Sequence, residues 1–229
     1  MKILCTICAR GGSKGVRNKN IKNFLGKPLI YHTISQAKQI KKFTKIVCSS
    51  DSINILKIAN KNKVDYTLLR PKFLSTDKAE KLKVIRHCLL NAEYFFKVKF
   101  DYIVDLDVTA PLRAKRDIYK IINIITKKKD AHNVLSLTPS RKNPYFNMVE
   151  IKNKNRLKIV KKTKKKIHSR QEAPLVYEIN AGLYAWKRKN LIKSHDLINK
   201  NTHYFIVPNS RSMDIDTSED FKIVKSLYL

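Results

Sequence analysis

The chain predicts an α/β fold built on a mostly parallel, doubly wound sheet, and three observations carry that expectation. Short apolar runs alternate with segments of helical periodicity. The first of those runs is followed at once by Gly11, Gly12 and Gly15, three of only five glycines in the chain. A length of 229 residues with 43% apolar side chains gives room for one domain with a true core and a small appended lobe.

Ile3 to Ala9 is too short for a helix and suits a buried parallel strand. A loop follows from Arg10 to Asn20. Residues 28 to 42 begin with Pro28 and carry Leu29, Ile30, Thr33, Ile34, Ala37 and Ile40 at helical spacing, which predicts a helix with proline in its first turn. Ile46 to Ser49 reads as strand, Ser52 to Asn62 as helix, Tyr66 to Leu69 as strand, Lys78 to Ala92 as a long amphipathic helix and Tyr102 to Val108 as strand. Such alternation implies right-handed crossovers and a ligand bound beyond the carboxyl ends of the strands. A helix over Asp117 to Lys129 and a strand over Val134 to Thr138 follow. The basic, proline-punctuated stretch from Pro139 to Pro174 is expected to form a protruding lobe inserted in a single domain spanning 1–229. Beyond it the pattern predicts a strand at Tyr177 to Trp186, a helix at Leu191 to Lys200, a short strand at Met213 to Asp216 and a closing helix at Ser218 to Leu227, whose first turn is acidic.

The balance of 49 basic against 18 acidic residues, a net charge of +31, makes the surface attract anions. Broad lysine enrichment is more a compositional habit than a tuned recognition face, which would favour arginine. Cys5, Cys8, Cys48 and Cys88 make no disulfide framework, and no run approaches the roughly 18 apolar residues of a membrane span. A cytoplasmic protein is expected, without a leader peptide, because Arg10 and Lys14 follow the first apolar run directly. Cys5 and Cys8 lie three apart on a strand and face opposite ways, so no zinc site is expected. His32 and His87 are read as packed or surface residues, and the Lys161 to Lys166 run as a solvated loop.

Glycines clustered behind a strand permit close backbone approach to an anion, with Arg10, Lys14 and Lys19 supplying charge. The spacing matches neither a Walker A loop nor the dinucleotide pattern. Among the scarce acids, Asp214 and Asp216 flank Ile215, and on a strand they would share a face. Two readings stay open for that pair: a magnesium site completed by substrate phosphates, or the N-cap of the closing helix. Asp105 and Asp107 repeat the same spacing.

The strings Ala9-Arg10-Gly11-Gly12-Ser13-Lys14-Gly15, Lys19-Asn20 and Gly26-Lys27-Pro28-Leu29 closely resemble the opening of the acylneuraminate cytidylyltransferases. Arg70-Pro71, Ser75-Thr76-Asp77, Thr109-Ala110-Pro111-Leu112-Arg113, Asn180-Ala181-Gly182-Leu183-Tyr184 and Asp214-Ile215-Asp216-Thr217 follow in that family's order, so the resemblance spans essentially the whole chain. It implies a Rossmann-like sheet of the nucleotide-diphospho-sugar transferase type with a dimerisation lobe, and transfer of CMP from CTP to a nine-carbon 2-keto sugar acid, releasing pyrophosphate. By the same resemblance Arg10, Gly11, Gly12, Ser13, Lys14 and Lys19 would hold the triphosphate, and Asn20 and Arg70 would lie near the nucleotide. Asp214 and Asp216 would bind Mg2+, and Arg10, Lys19 and Asp216 would serve catalysis. Asp107, Arg170 and Asn180 would meet the sugar, Arg170 across a homodimer interface. Asp107, Phe146 and Glu178 depart from the sialic acid pattern and, with Asn143-Pro144-Tyr145-Phe146-Asn147-Met148, resemble the branch that activates legionaminic-type diacetamido sugars. Asp107 could instead reach the metal, as in the related CMP-Kdo synthetases. Two other classes stay in play: a nucleotidyltransferase acting on a hexose phosphate, and, motivated by charge alone, a nucleic-acid-binding module, a partner the sequence does not favour.

Overall fold

The computed structural model describes residues 1–152 and 156–228. Its elements run β1 (Ile3–Cys8), a two-residue hairpin of β2 (Asn23–Phe24) and β3 (Lys27–Pro28), α1 (Leu29–Lys38), β4 (Lys45–Ser50), α2 (Ile53–Lys61) and β5 (Tyr66–Leu69). Then come α3 (Lys81–Phe96), β6 (Tyr102–Leu106), α4 (Lys115–Lys127), β7 (Asn133–Pro139), β8 (Val149–Lys152) and β9 (Arg156–Ile159). The chain closes with β10 (Tyr177–Lys187), α5 (Arg188–Lys193), β11 (Thr202–Ile206) and α6 (Ser218–Tyr228).

Seven strands form the central sheet in the order β11-β7-β10-β6-β1-β4-β5. All run in one direction except β10, which is antiparallel to both β6 and β7. The order reverses between β1, whose successors β4 and β5 lie to one side, and β6 on the other, so the topological switch point falls there. Side chains of β1 alternate between two cores: Ile3, Cys5 and Ile7 join α1, α2, α4 and α6, while Leu4 joins α3 and α5 on the opposite face. Cys5 and Cys8 accordingly point to opposite sides. His32 is packed, its ring bonded to the Phe24 carbonyl at 2.8 Å. Leu25 and Gly26, with φ of 50° and 80°, make the primed turn that joins β2 to β3.

Three sequence expectations need correction. The segment Met213 to Asp216 is not a strand: its one backbone tie to the neighbouring loop is Ile215 N–H to the Thr109 carbonyl at 2.8 Å, with Ile215 itself fully buried. The helix expected to reach Lys200 stops at Lys193, because the Arg86 guanidinium captures the carbonyls of Leu191, at 3.0 Å, and Ser194. The edge strand β11 was not foreseen; only Phe205 of its five residues is buried, so it carries no alternating pattern. Within 139–174, β8 and β9 pair only with each other, apart from the central sheet.

Candidate active site

A cavity of about 360 Å³ opens at the switch point, between the carboxyl ends of β1 and β6. Arg10, Ser13, Lys19, Asn20, Arg70, Asp107, Asp214 and Asp216 all line it, although they come from four separate stretches of chain. The sequence reading of a loop behind the first strand facing a twin-aspartate segment near the C-terminus therefore describes one place. Gly15 shows how tightly the two are joined: a Cβ on it would lie 2.0 Å from the Asp216 carbonyl oxygen. Only glycine lets the loop pack there.

At this end of the cavity, cations are plentiful and each is held by a carboxylate or carbonyl. Lys19 is buried, and its Nζ donates to the Ile215 carbonyl at 2.5 Å and to Asp216 Oδ1 at 3.0 Å. Arg10 and Lys14 both pair with Asp77, Lys14 at 2.6 Å, and these two cations hold the Asp77 carboxyl below its ordinary range. Arg70 is buried, with Nη2 donating to the Ala9 carbonyl at 3.2 Å and Nε to Ser75 Oγ at 3.1 Å. Asn20 Nδ2 ties the Arg10 carbonyl at 2.8 Å. The glycine amides are not all turned to the cavity: Gly11 N–H donates to Asp51 Oδ1 at 2.9 Å, whereas a side chain at Gly12 would meet nothing.

Asp214 and Asp216 both reach the cavity from irregular backbone rather than from one face of a strand. The helix cap falls to Thr217, whose Oγ1 accepts from Asp220 N–H at 3.1 Å while Asp220 Oδ2 accepts from Thr217 N–H at 2.7 Å. That leaves the Asp216 carboxylate free of capping. Burial and the neighbouring Asp216 charge raise the Asp214 carboxyl above its usual range.

The other end of the cavity is built from β6, α3 and β10. Asp107 Oδ1 accepts from Thr109 N–H at 3.1 Å and Thr109 Oγ1 at 3.0 Å, and Oδ2 accepts from Lys81 Nζ at 2.7 Å. Burial alone would raise this carboxyl, but Lys81 overrides it and holds Asp107 at about 2. Behind it, the buried Arg113 donates to the Gly182 carbonyl at 2.7 Å, to Thr33 Oγ1 at 2.8 Å and to Gln36 Oε1 at 2.9 Å. Four residues of β10, Asn180 to Leu183, bulge opposite Ser136 of β7. Ser136 Oγ fills the bulge, donating to Asn180 Oδ1 at 2.5 Å, and the buried Asn180 Nδ2 has no protein partner. Arg170 is exposed in the lobe and does not line the cavity within one chain.

Sequence reasoning missed Lys81 and the pairing of Asp77 with both Arg10 and Lys14. The signal for Lys81 was a cation opening a helix, where the macrodipole disfavours one.

A cavity of this size, lined by both cations and carboxylates at the switch point of a mostly parallel sheet, lies where an α/β nucleotidyltransferase holds its nucleotide. The chain belongs to the cytidylyltransferase family, whose model matches residues 4–227. It is 42% identical over 226 residues to the CMP-N,N'-diacetyllegionaminic acid synthase of Campylobacter jejuni, covering 99% of this chain and 94% of that one. The "post-translational flagellin modification protein B" of Campylobacter coli matches at the same identity and coverage. The pseudaminic acid cytidylyltransferase of C. jejuni is 28% identical over 228 residues, covering 100% of this chain and 97% of that one. Among solved structures, a CMP:2-keto-3-deoxy-manno-octonic acid synthetase complexed with CTP superposes with a TM-score of 0.72 at 16% identity, covering 100% of this chain and 98% of that one, a likeness of fold. No helix among the described residues is long and apolar enough to cross a membrane.

Proposed function

We propose that this enzyme transfers CMP from CTP to the anomeric hydroxyl of a nonulosonic acid of the legionaminic type, releasing pyrophosphate. The observation that carries the reading is the joining of the basic loop behind β1 to the Asp214–Asp216 segment across a single cavity, in a chain 42% identical to a synthase named for that product. An anionic sugar acid must approach an anionic triphosphate. The first requirement is therefore neutralisation, which Arg10, Lys14 and Lys19 supply at one end with Arg70 and Asn20 beside them. Ser13 and the open face at Gly12 add room and a hydroxyl donor there.

Asp214 and Asp216 fit a divalent cation: they form a hard oxygen pair in which burial and the Asp216 charge raise the Asp214 carboxyl, and Lys19 contacts Asp216 through Oδ1. Magnesium is held by one or two carboxylates and draws the rest of its shell from phosphates and water. When bound, Mg2+ supplies charge neutralisation for the triphosphate and its leaving pyrophosphate. The chain's own part is to hold the α-phosphorus in line with the acceptor hydroxyl, a positioning task shared by the cations at one end and by Asp107 and Asn180 at the other.

Dimerisation through the lobe belongs to the same reading. Register in the hairpin puts Val149, Ile151, Leu157 and Ile159 on one face, and Ile151 and Leu157 are 77% and 69% exposed. A lone two-stranded hairpin with a bare apolar face calls for a covering surface, and a second copy would bring Arg170 toward the neighbouring site.

The test is pyrophosphate release with each nucleoside triphosphate against N-acetylneuraminic, diacetyllegionaminic, pseudaminic and Kdo acids, with and without magnesium. CTP with the diacetyllegionaminic acid should be the preferred pair. Asp216→Asn should abolish turnover, a loss of at least about a thousandfold, with an unchanged circular dichroism spectrum. Full turnover in that variant would overturn the assignment.

A further inference from the structure

Among the cavity's charged side chains, Lys81 is a cation supplied by neither the phosphate loop nor the twin aspartates. It opens α3, where the helix dipole opposes a cation and Glu80 makes no side-chain cap. A residue that breaks a local rule is held there by something else. Its Nζ lies 2.7 Å from Asp107 Oδ2, 3.2 Å from Asp105 Oδ2 and 4.1 Å from the centre of the Tyr184 ring, so it ties α3 to β6 and β10 at once. Asp105 is almost wholly buried and accepts from Thr6 Oγ1 at 2.7 Å; among the described residues its Oδ2 has no hydrogen-bond partner, and Lys81 Nζ, 3.2 Å away, compensates its charge most strongly. Burial would lower the ammonium, yet Asp107 and Asp105 push it well above the ordinary lysine range.

Asp107, clamped by Thr109 on one oxygen and by Lys81 on the other, cannot swing. Counted as ionised, the three groups sum to one negative charge, which the buried Arg113 behind Asp107 offsets. Both cations are spent on the two carboxylates, so this end offers a phosphate or carboxylate no unpaired cation and presents Asp107 to a neutral hydrogen-bond donor. The opposite end, with Arg10, Lys14 and Lys19, has the reverse preference.

We propose that Lys81 is a positioning residue for the acceptor: it fixes Asp107 as the hydrogen-bond acceptor for a hydroxyl or acylamino N–H of the sugar acid, leaving the acid's own carboxylate to face the cations of the phosphate end. The proposal rests on the cytidylyl-transfer reading above and specifies how the acceptor is oriented within it.

The test uses the full-length chain and measures KM separately for CTP and for the sugar acid. Lys81→Met should raise the KM for the sugar acid by about ten- to hundredfold and leave that for CTP within about twofold. Lys81→Arg should regain part of the loss, and ethylammonium added to Lys81→Ala should lower the acceptor KM again, because the slot beside Asp105 and Asp107 takes a small cation. Asp107→Asn, which removes the acceptor charge and leaves Lys81 with Asp105, should show the same one-sided rise. It carries the test if Lys81→Met does not fold. Equal rises in both KM values, an unchanged acceptor KM, or a loss confined to kcat would overturn the role of Lys81 while wild-type turnover kept the enzyme assignment intact. Absence of pyrophosphate release by the wild type with every sugar acid would sink the enzyme assignment first, and this inference with it.

Discussion

The two ends of the cavity solve opposite electrostatic problems. At the phosphate end the cations hold solvent-exposed carboxylates: the Asp77 side chain is 43% exposed and that of Asp216 is 73% exposed. At the acceptor end the charges are locked among themselves, with Asp105 and Arg113 nearly without solvent contact. Burial lowers the Arg113 guanidinium to about 10, still well within its charged range at neutral pH. On the proposed reading, the phosphate end would release its own carboxylates when a polyanion arrives, whereas the acceptor end would keep one shape and so define which face of a polyol is presented.

The largest effect that tests this contrast is structural. Arg113→Met should cost about 3–5 kcal/mol of stability in urea unfolding, because it strands the carbonyls of Gly182 and Asp107 and the side chains of Thr33 and Gln36 inside the protein. A loss under about 1 kcal/mol would mean the acceptor end is not the rigid partner. Next comes Lys19→Ala at the phosphate end, where the loss should be catalytic: a fall of about 10²–10³ in kcat/KM. The thermal midpoint should move less than in the arginine variant, since the partner carboxylate of Lys19 is open to water and the Ile215 carbonyl is the one buried acceptor its loss strands.

Gly15→Ala probes the seam through which the phosphate loop meets the twin aspartates. The new methyl would collide with the Asp216 carbonyl, so the loop must back away, and activity should fall about ten- to hundredfold with the secondary structure intact. This position also marks the limit of what the sequence could tell. Three glycines within five residues stand out in a chain so poor in them, and Arg10, Lys14 and Lys19 lie in the same stretch, so the phosphate end was legible as a local signal. That Gly15 serves close packing, and that the Gly11 amide is turned toward Asp51, needed the fold. The acceptor end is assembled from remote partners: Ser136 with Asn180 across 44 positions, Arg113 with Gly182 across 69, Lys81 with Asp107 across 26. No spacing rule reaches that far. Likewise Met213 to Asp216 alternates like a strand but finds no ladder, and β11 forms a ladder without alternating, because edge pairing is decided by neighbours rather than by pattern.

The smallest effect runs in the opposite direction and bears most directly on the contrast. Asp77 places a carboxylate between Arg10 and Lys14, the position of a phosphate oxygen in the reading above, so CTP and pyrophosphate must displace it to reach those cations. Exposed ion pairs of this kind are weak and salt-sensitive, so the competition is mild. Asp77→Asn should therefore tighten binding of CTP and of the product pyrophosphate by about two- to fivefold, most visibly at low ionic strength, and slow turnover where pyrophosphate release limits it. Weaker binding in that variant would show that Asp77 preorganises the two cations instead of competing with the ligand. The phosphate end would then be a built site like its opposite, and the contrast between a yielding and a rigid end would fail.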